Sequence, residues 1–565
     1  MMIEPPSDEE LERDAQGARR AASLILLRDG AQGPEVLMLR RAERPGDLRG
    51  GVWVFPGGVL DAVDATLADR TDGPDDASWS RRFQMAGGAL DHAVAALRET
   101  YEEVGLLLAG PPERVPLALA RRAQVRRGED FAQLLSSLDL TLHTSALLPF
   151  AHWLTPPGIA KRFDTRFFIA RAPSDQLPQV DAAEALALDW LRPADALAPS
   201  AGLKLLPVTR ETLRDLARHA SVQEALDEAA ARQQFVRQMP RQARYEGGAR
   251  FVLPHEPAWA EIGRLDPLGR GDQFLDLVPL RRVRLSPRVE RLTCGNGSVM
   301  TGPGTNTYLI RDPAGEQVAV LDPGPLDAHT EAHLQAVLAA AAQPAVPGGA
   351  AGRITHILVT HTHRDHSPAA RRLQALTGAA LVGAVAQDPT WQDTDFRPDW
   401  TPADGQALTL GPDCTLQAVA TPGHASNHLC WWLPQEGLLF TGDHVMQGST
   451  VVINPPDGDM AAYCRSLRRL LDLPLRWLAP GHGFLMASPP VEVGRLLAHR
   501  QVREARVLAA LPRGEGATPQ ALVAAVYGDV PASRHGLAAR SLLAHLLKLE
   551  AEGRARRDGE AWRAA

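Results

Sequence analysis

Lysine is nearly missing from this chain: Lys161, Lys204 and Lys548 are the only lysines among 60 basic residues, so almost all positive charge is arginine. Cysteine is also scarce. Cys294, Cys414, Cys430 and Cys464 stand far apart with no C-x-x-C pair, which argues against a disulfide framework and against a thiolate metal site. No apolar run reaches the roughly 18 residues that a membrane helix needs, so no membrane partner is expected. Residues 1–17 are acidic where a signal peptide would be basic and then apolar, and the protein is expected to be cytoplasmic. Excess charge of one sign is slight. With 67 acids against 60 bases the net charge is -7, which leaves no global basic surface for nucleic acid. From residue 496 onward the balance reverses locally, eleven Arg and Lys facing seven acids.

What is present is ordinary material for folded domains, 45% hydrophobic and 22% charged over 565 residues. That length implies roughly three to five units. Apolar runs at 21–27 and 35–39, separated by Arg28-Asp29-Gly30 and Gly33-Pro34, read as a hairpin. A polar Asp/Gly/Pro stretch follows, read as an inserted loop at about 65–88. Residues 90–104 have helical apolar spacing, with Gly105 placed to cap the end. Periodicity fails between about 249 and 287, where Pro254, Pro257, Pro267, Gly269 and Gly271 scatter, and a linker is placed there. Short strand-like runs then alternate with loops and helices (307–310, 318–321, 354–360, 416–420, 437–441 and 476–479), the rhythm of an α/β sandwich. The tail reads as helices at 499–511, 519–527 and 537–552 and a hairpin turning at Asp558-Gly559, the pattern of a winged helix.

The strand-like run ending at Thr360 delivers His361-Thr362-His363-Arg364-Asp365-His366, four candidate ligands in six positions. Ser367, Pro368 and the later Gly378 bracket a helix, so the cluster lies at its N-terminus. Alternate side chains of an extended turn point the same way, so His361 and His363 can share one metal while Asp365 and His366 face another. His424 in Thr-Pro-Gly-His, Asp443 in Thr-Gly-Asp and His482 in Pro-Gly-His each follow a strand-like run and a glycine. These motifs together resemble the metallo-β-lactamase superfamily over roughly 289–493. The resemblance implies that His361, His363 and His424 bind a first metal and Asp365, His366 and His482 a second. It makes Asp443 the bridge, and Asp365 and Asp443 catalytic. Nitrogen-rich ligation favours two Zn²⁺, with iron or manganese left open. His356 and His444 are expected as neighbours of the cluster, His444 with a role toward substrate as an alternative. Gly302-Pro303-Gly304-Thr305-Asn306-Thr307-Tyr308 and the tail around residues 542–553 further resemble the beta-lactamase-like protein 2 group. That group carries a winged-helix-like domain and implies phosphodiester cleavage of single-stranded RNA. Glyoxalase II-like relatives use the same ligands on thioesters, so the ligand set does not choose between them.

A second signal lies on the helix ending at Gly105. Glu99, Glu102 and Glu103 share one face at offsets of three and four, an arrangement of like charges that costs energy unless a cation joins them. With the upstream Phe55-Pro56-Gly57-Gly58 they resemble the Nudix box, which implies Mg²⁺ or Mn²⁺ on Glu102 and Glu103 and Glu99 as a further ligand or base. Arg98 is expected as a structural partner. Asp64 stands where the first glutamate of the box belongs, and the spacer after it is stretched to roughly 33 positions. The stretched box, Trp153-Leu154-Thr155-Pro156 and Arg162-Phe163-Asp164-Thr165-Arg166 resemble Nudix 19-like peroxisomal coenzyme A diphosphatases. No peroxisomal tripeptide ends the chain, which closes on Arg-Ala-Ala.

The expected architecture is α/β multidomain. Residues 1–17 form a flexible start and 18–245 a Nudix α/β/α sandwich, followed by a linker at 246–287. A metallo-β-lactamase αββα sandwich occupies 288–495 and a small winged helix 496–565. The expected function is metal-dependent hydrolysis of an ester, thioester or phosphodiester bond, fused to a diphosphatase acting on coenzyme A or nucleoside diphosphate derivatives. Two alternatives stand beside it: a single-strand endoribonuclease guided by the tail, and a Nudix half that senses a ligand without turnover.

Overall fold

The computed structural model describes residues 16–43, 50–125, 128–180, 185–233 and 235–565. The chain divides into two compact units, one built of residues up to 254 together with 266–272, the other of 255–265 and 273–565.

The first unit is built on an eight-stranded mixed sheet. Its central strand, Arg19–Gly30, pairs antiparallel with Gly33–Arg41 and parallel with Phe163–Arg171, from Arg19 beside Phe163 to Leu27 beside Arg171. Successive side chains of a strand leave on opposite faces. Ala22, Leu24 and Leu26 therefore pack with the helix Ala89–Val104, while Ile25 and Leu27 pack with the helices Pro207–Leu216 and Val222–Ala231. The result is an α/β/α sandwich, and burial on both faces explains why 21–27 is a continuous apolar run.

The inserted stretch is not the loop expected at 65–88. It carries a 3-10 helix, Asp64–Arg70, and an α-helix, Asp76–Phe83, whose Asp75 cap accepts a hydrogen bond from Ser78 N at 2.9 Å. Trp79 and Phe83 turn inward and meet the Phe168 ring edge-on at 5.5 and 5.6 Å between centroids. Two aromatics at helical spacing supply the burial that the polar composition concealed.

The second unit stacks two six-stranded sheets. Tyr308, Ile310, Leu321 and Leu358 from the first meet Leu416, Trp431, Phe440 and Ala479 from the second in a shared core. Helices Thr330–Ala342 and Ala369–Thr377 cover one outer face, and Met460–Leu470 with Pro489–Ala510 the other, giving four layers. The tail follows as Pro519–Val526, His535–Ala551 and the hairpin Ala555–Asp558 with Ala561–Ala564, where Gly559 has φ 59°. Its first helix begins at Pro489, so the boundary expected at 495/496 falls inside one 22-residue helix.

The segment expected as a linker at 246–287 is also ordered. Gly248–Val252 pairs with Arg241–Tyr245, and Trp259–Leu265 is a helix whose buried Glu261 takes both Arg291 guanidinium ends at 2.6 and 2.8 Å. Prolines outside the helix erased the periodicity without preventing about two turns of it. No helix among the described residues is long and apolar enough to cross a membrane.

Candidate metal centre and carboxylate helix

Three loops leaving the sheets of the second unit bring its imidazoles together. The strand Arg353–Leu358 ends just before His361, Cys414–Ala420 before His424, and Trp477–Pro480 before His482, while Leu438–Gly442 runs directly into Asp443. Gly423 shows why glycine precedes His424: a Cβ there would stand 2.3 Å from Tyr463 Cα, so the turn closes against the helix Met460–Leu470 only without a side chain.

The donor atoms form two groups, each with all members within 4.8 Å of one another: His361, His363 and His424 in one, Asp365, His366, Asp443 and His482 in the other. Asp443 reaches across both. Its Oδ1 lies 3.4 Å from His366 Nε2 and 3.3 Å from His482 Nε2, and its Oδ2 3.7 Å from His424 Nε2.

Four of the five rings are turned by their other nitrogen, whereas His363 Nδ1 lies 2.9 Å from His361 Nε2. His366 Nδ1 lies 2.9 Å from Asp322 Oδ2, His424 Nδ1 2.9 Å from the Val452 carbonyl, and His482 Nδ1 3.2 Å from the Gly304 carbonyl. His361 Nδ1 lies 3.0 Å from Thr360 Oγ1, which itself donates to Asp322 Oδ2 at 2.7 Å. A hydroxyl that donates to a carboxylate must accept from the ring, so the His361 proton is on Nδ1 and its Nε2 lone pair faces the cluster. The inward atoms are left with nothing to bond: His366 Nε2, His424 Nε2, His482 Nε2 and Asp443 Oδ1 are buried without a hydrogen-bond partner. Buried acceptors aimed at one another cost free energy unless a cation stands between them. The residues present therefore fit a pair of metal ions.

Asp322 was not singled out from the sequence, where it is one aspartate before Pro323-Gly324. In the fold it accepts Thr360 N at 2.7 Å as well as the Thr360 hydroxyl and the His366 ring, and so holds His366 directly and His361 through Thr360. His428 was also missed. Its ring stacks on His361 at 5.1 Å and 29°, with Nδ1 2.8 Å from Thr421 Oγ1. His444 is buried edge-on to Tyr463 at 5.0 Å, and burial depresses its pKa to about 3. His356 lies on the strand Arg353–Leu358 with Nδ1 2.9 Å from its neighbour's hydroxyl, Thr355 Oγ1.

In the first unit the carboxylate helix Ala89–Val104 ends on Gly105 at φ 65°. Gly57 lets two strands meet, since a Cβ there would stand 2.4 Å from the Ala22 carbonyl, and Gly58 lets the helix approach them, since a Cβ there would meet the Glu99 carboxylate at 2.4 Å. Gly57 N donates to Glu103 Oε2 at 2.8 Å. Arg98 Nη1 donates to Glu99 at 2.9 Å and Glu102 at 3.1 Å. Glu102 Oε1 is buried without a partner, and burial raises its pKa to about 7 against the pull of Arg98. Glu99, Glu102 and Glu103 are not among the groups of described residues whose donor atoms all close to 4.8 Å. Asp64 shares the same guanidinium, its two oxygens accepting from Arg98 Nε and Nη2 at 2.8 and 3.0 Å.

The metallo-beta-lactamase superfamily model matches residues 300–482. The "Atrochrysone carboxyl ACP thioesterase" of Aspergillus fumigatus is 33% identical over 263 residues, 44% of this chain and 76% of that relative. The chain belongs to the metallo-beta-lactamase superfamily. The "Beta-lactamase-like protein 2 homolog" of Drosophila melanogaster is 30% identical over 286 residues, 48% of this chain and 91% of that protein. The beta-lactamase associated winged helix domain matches residues 518–562 and the NUDT19 Nudix domain residues 77–203. A NUDIX hydrolase structure from Alicyclobacillus acidocaldarius is 29% identical, covers 39% of this chain and 97% of its own, and has a TM-score of 0.33. The protein is thus a metallo-beta-lactamase fold hydrolase carrying a Nudix domain and a winged helix.

Proposed function

We propose that the metallo-beta-lactamase site hydrolyses thioesters with two zinc ions, and that the Nudix helix cleaves a diphosphate in coenzyme A or a nucleoside diphosphate derivative. In this reading His361, His363 and His424 hold one ion, Asp365, His366 and His482 the other, and Asp443 joins them. The observation that carries it is the Asp443 carboxylate, one oxygen facing His366 and His482 and the other facing His424. When bound, such a metal pair lowers the pKa of a water and stabilises oxyanion charge. The chain's own residues do the rest. The Nδ1 anchors fix the direction of the His361, His366, His424 and His482 rings, and Asp443 would help hold the water. Asp365 is the more exposed of the two aspartates at 28%, with Oδ2 3.2 Å from His482 Nε2, and would be the carboxylate placed to accept a proton there.

Support for a thioester over a phosphodiester comes from the thioesterase named among the relatives and from the slight basicity of the tail. In the Nudix half, Glu102 and Glu103 bind Mg²⁺ or Mn²⁺ and Glu99 serves as a further ligand or base; few carboxylates plus substrate phosphate oxygens suit magnesium.

The test is a parallel assay of wild type, Glu103→Gln and Asp365→Ala on acyl-coenzyme A, short thioesters, nucleotide sugars and short single-stranded RNA. Asp365→Ala is expected to lose thiol release by at least about a hundredfold and keep diphosphate cleavage. Glu103→Gln is expected to do the reverse. RNA cleavage without thiol release would overturn the thioester reading, and loss of both activities from either change would mean one composite site.

A further inference from the structure

Arg540, on the helix His535–Ala551, holds its guanidinium carbon 4.8 Å above the centre of the Trp391 ring. Among the described interactions it has no hydrogen bond and no carboxylate partner, although it is half-buried. Trp391 is itself unusual, an exposed indole on a residue with φ 70°. A non-glycine side chain in that region costs free energy and persists where its surroundings hold it.

The next residue supplies the hold and fixes the location. Gln392 forms a backbone bridge with His363, and its Oε1 accepts the Thr362 hydroxyl at 2.8 Å; Asp393 N donates to the Thr362 carbonyl at 2.6 Å. The indole is therefore one residue from a clamp on a metal-site histidine. Other loops pinned to the cluster also end in exposed apolar side chains. Leu326 follows Gly324, whose N–H donates to the His366 carbonyl at 3.0 Å. Val299 and Met300 lie on the loop that ends at Gly304, the acceptor for His482.

An unpaired cation braced on an aromatic ring, with exposed apolar tips on other loops pinned to the same cluster, suits a ligand with one anionic group and an apolar part. It does not suit a nucleic-acid strand, whose binding needs several phosphate contacts in a row. We propose that Arg540 and Trp391 dock the phosphate of a 4′-phosphopantetheine arm while the apolar loop tips receive the acyl group. This rests on the thioester reading of the metal site. The arm is common to coenzyme A and to phosphopantetheinylated carrier proteins, and the winged-helix segment thereby contributes a specificity residue to the neighbouring site.

The experiment measures thiol release from three substrates with the same decanoyl group: decanoyl-coenzyme A, decanoyl on a phosphopantetheinylated carrier protein, and decanoyl-N-acetylcysteamine, which has no phosphate. In Arg540→Ala the preference for phosphate-bearing over phosphate-free substrate is expected to fall about tenfold, through KM rather than kcat, with Arg540→Lys recovering part of it. Trp391→Leu removes the brace and is expected to shift the same ratio, an arm that does not depend on how Arg540→Ala folds. A fall confined to coenzyme A or to the carrier protein supports the docking point and identifies the source of the arm. An equal fall on all three substrates, or an unchanged ratio with RNA cleavage lost, overturns it. If wild type releases thiol from none of them, the thioester reading fails. Calorimetry with 4′-phosphopantetheine then decides the docking point: about tenfold weaker binding to Arg540→Ala supports it, and equal binding sinks it.

Discussion

Asp322 accepts three hydrogen bonds, one from the His366 ring and two from Thr360, whose hydroxyl lies 3.0 Å from His361 Nδ1. Removing its charge while keeping its shape, as in Asp322→Asn, leaves the His366 and Thr360 protons facing an amide. Metal affinity is expected to fall about 10- to 100-fold with little change in melting temperature, measured by competition against a chelator. Unchanged affinity would mean that the rings are oriented by packing alone. Asp64 carries the opposite expectation, a structural one, because its carboxylate is spent on buried Arg98. Asp64→Ala should destabilise the first unit by about 3 kcal/mol in urea unfolding. Full stability with lost diphosphate cleavage would make Asp64 a ligand instead. The clustered histidines and aspartates were legible because each stands in a short string directly after an apolar strand. Asp322 acts on those ligands through a hydroxyl and a ring nitrogen, and a relation of that kind leaves no trace in spacing.

Elements were legible where one face or both faces are uniformly apolar, as in 21–27 and 90–104, and illegible where burial rests on two or three side chains. Trp79 and Phe83 anchor a helix inside a stretch that is otherwise Asp, Gly and Arg. In the tail, the long helix Pro489–Ala510 is tied to His535–Ala551 through Glu504, which lies 3.6 Å from His545 Nδ1 and 2.7 Å from Lys548 Nζ. The His545 ring and the Lys548 ammonium hold the Glu504 carboxyl down to about 2 from an ordinary 4.5. A depressed folded pKa contributes stability that is fully present above about 4.5 and disappears as the pH falls through about 2. Glu504→Gln should therefore melt about 1–3 °C below wild type at pH 6, with the gap closing toward pH 2. A gap that does not change with pH would place the contribution in packing rather than charge.

At the scale of the whole molecule, the crossing between units is where composition misleads most. Residues 255–265 pack with the second unit and 266–272 with the first, so no single cut through the proline-rich region separates two complete domains. Glu261 makes this consequential. It is 2% exposed, its partner Arg291 is 1% exposed, and Leu485 N also donates to Glu261 at 2.8 Å. A fragment beginning at 273 would retain a buried arginine with its carboxylate removed, a loss of about 3–5 kcal/mol, comparable to the stability margin of a domain. A fragment of residues 255–565 is expected to fold and bind metal, whereas 273–565 should be strongly destabilised or insoluble. Glu261→Gln in the full chain should reproduce most of the loss in the second unit alone, read by denaturant unfolding together with metal retention. Equal stability of the two fragments would show that Arg291 finds another partner, and that the helix Trp259–Leu265 is a passenger on the second unit rather than part of it.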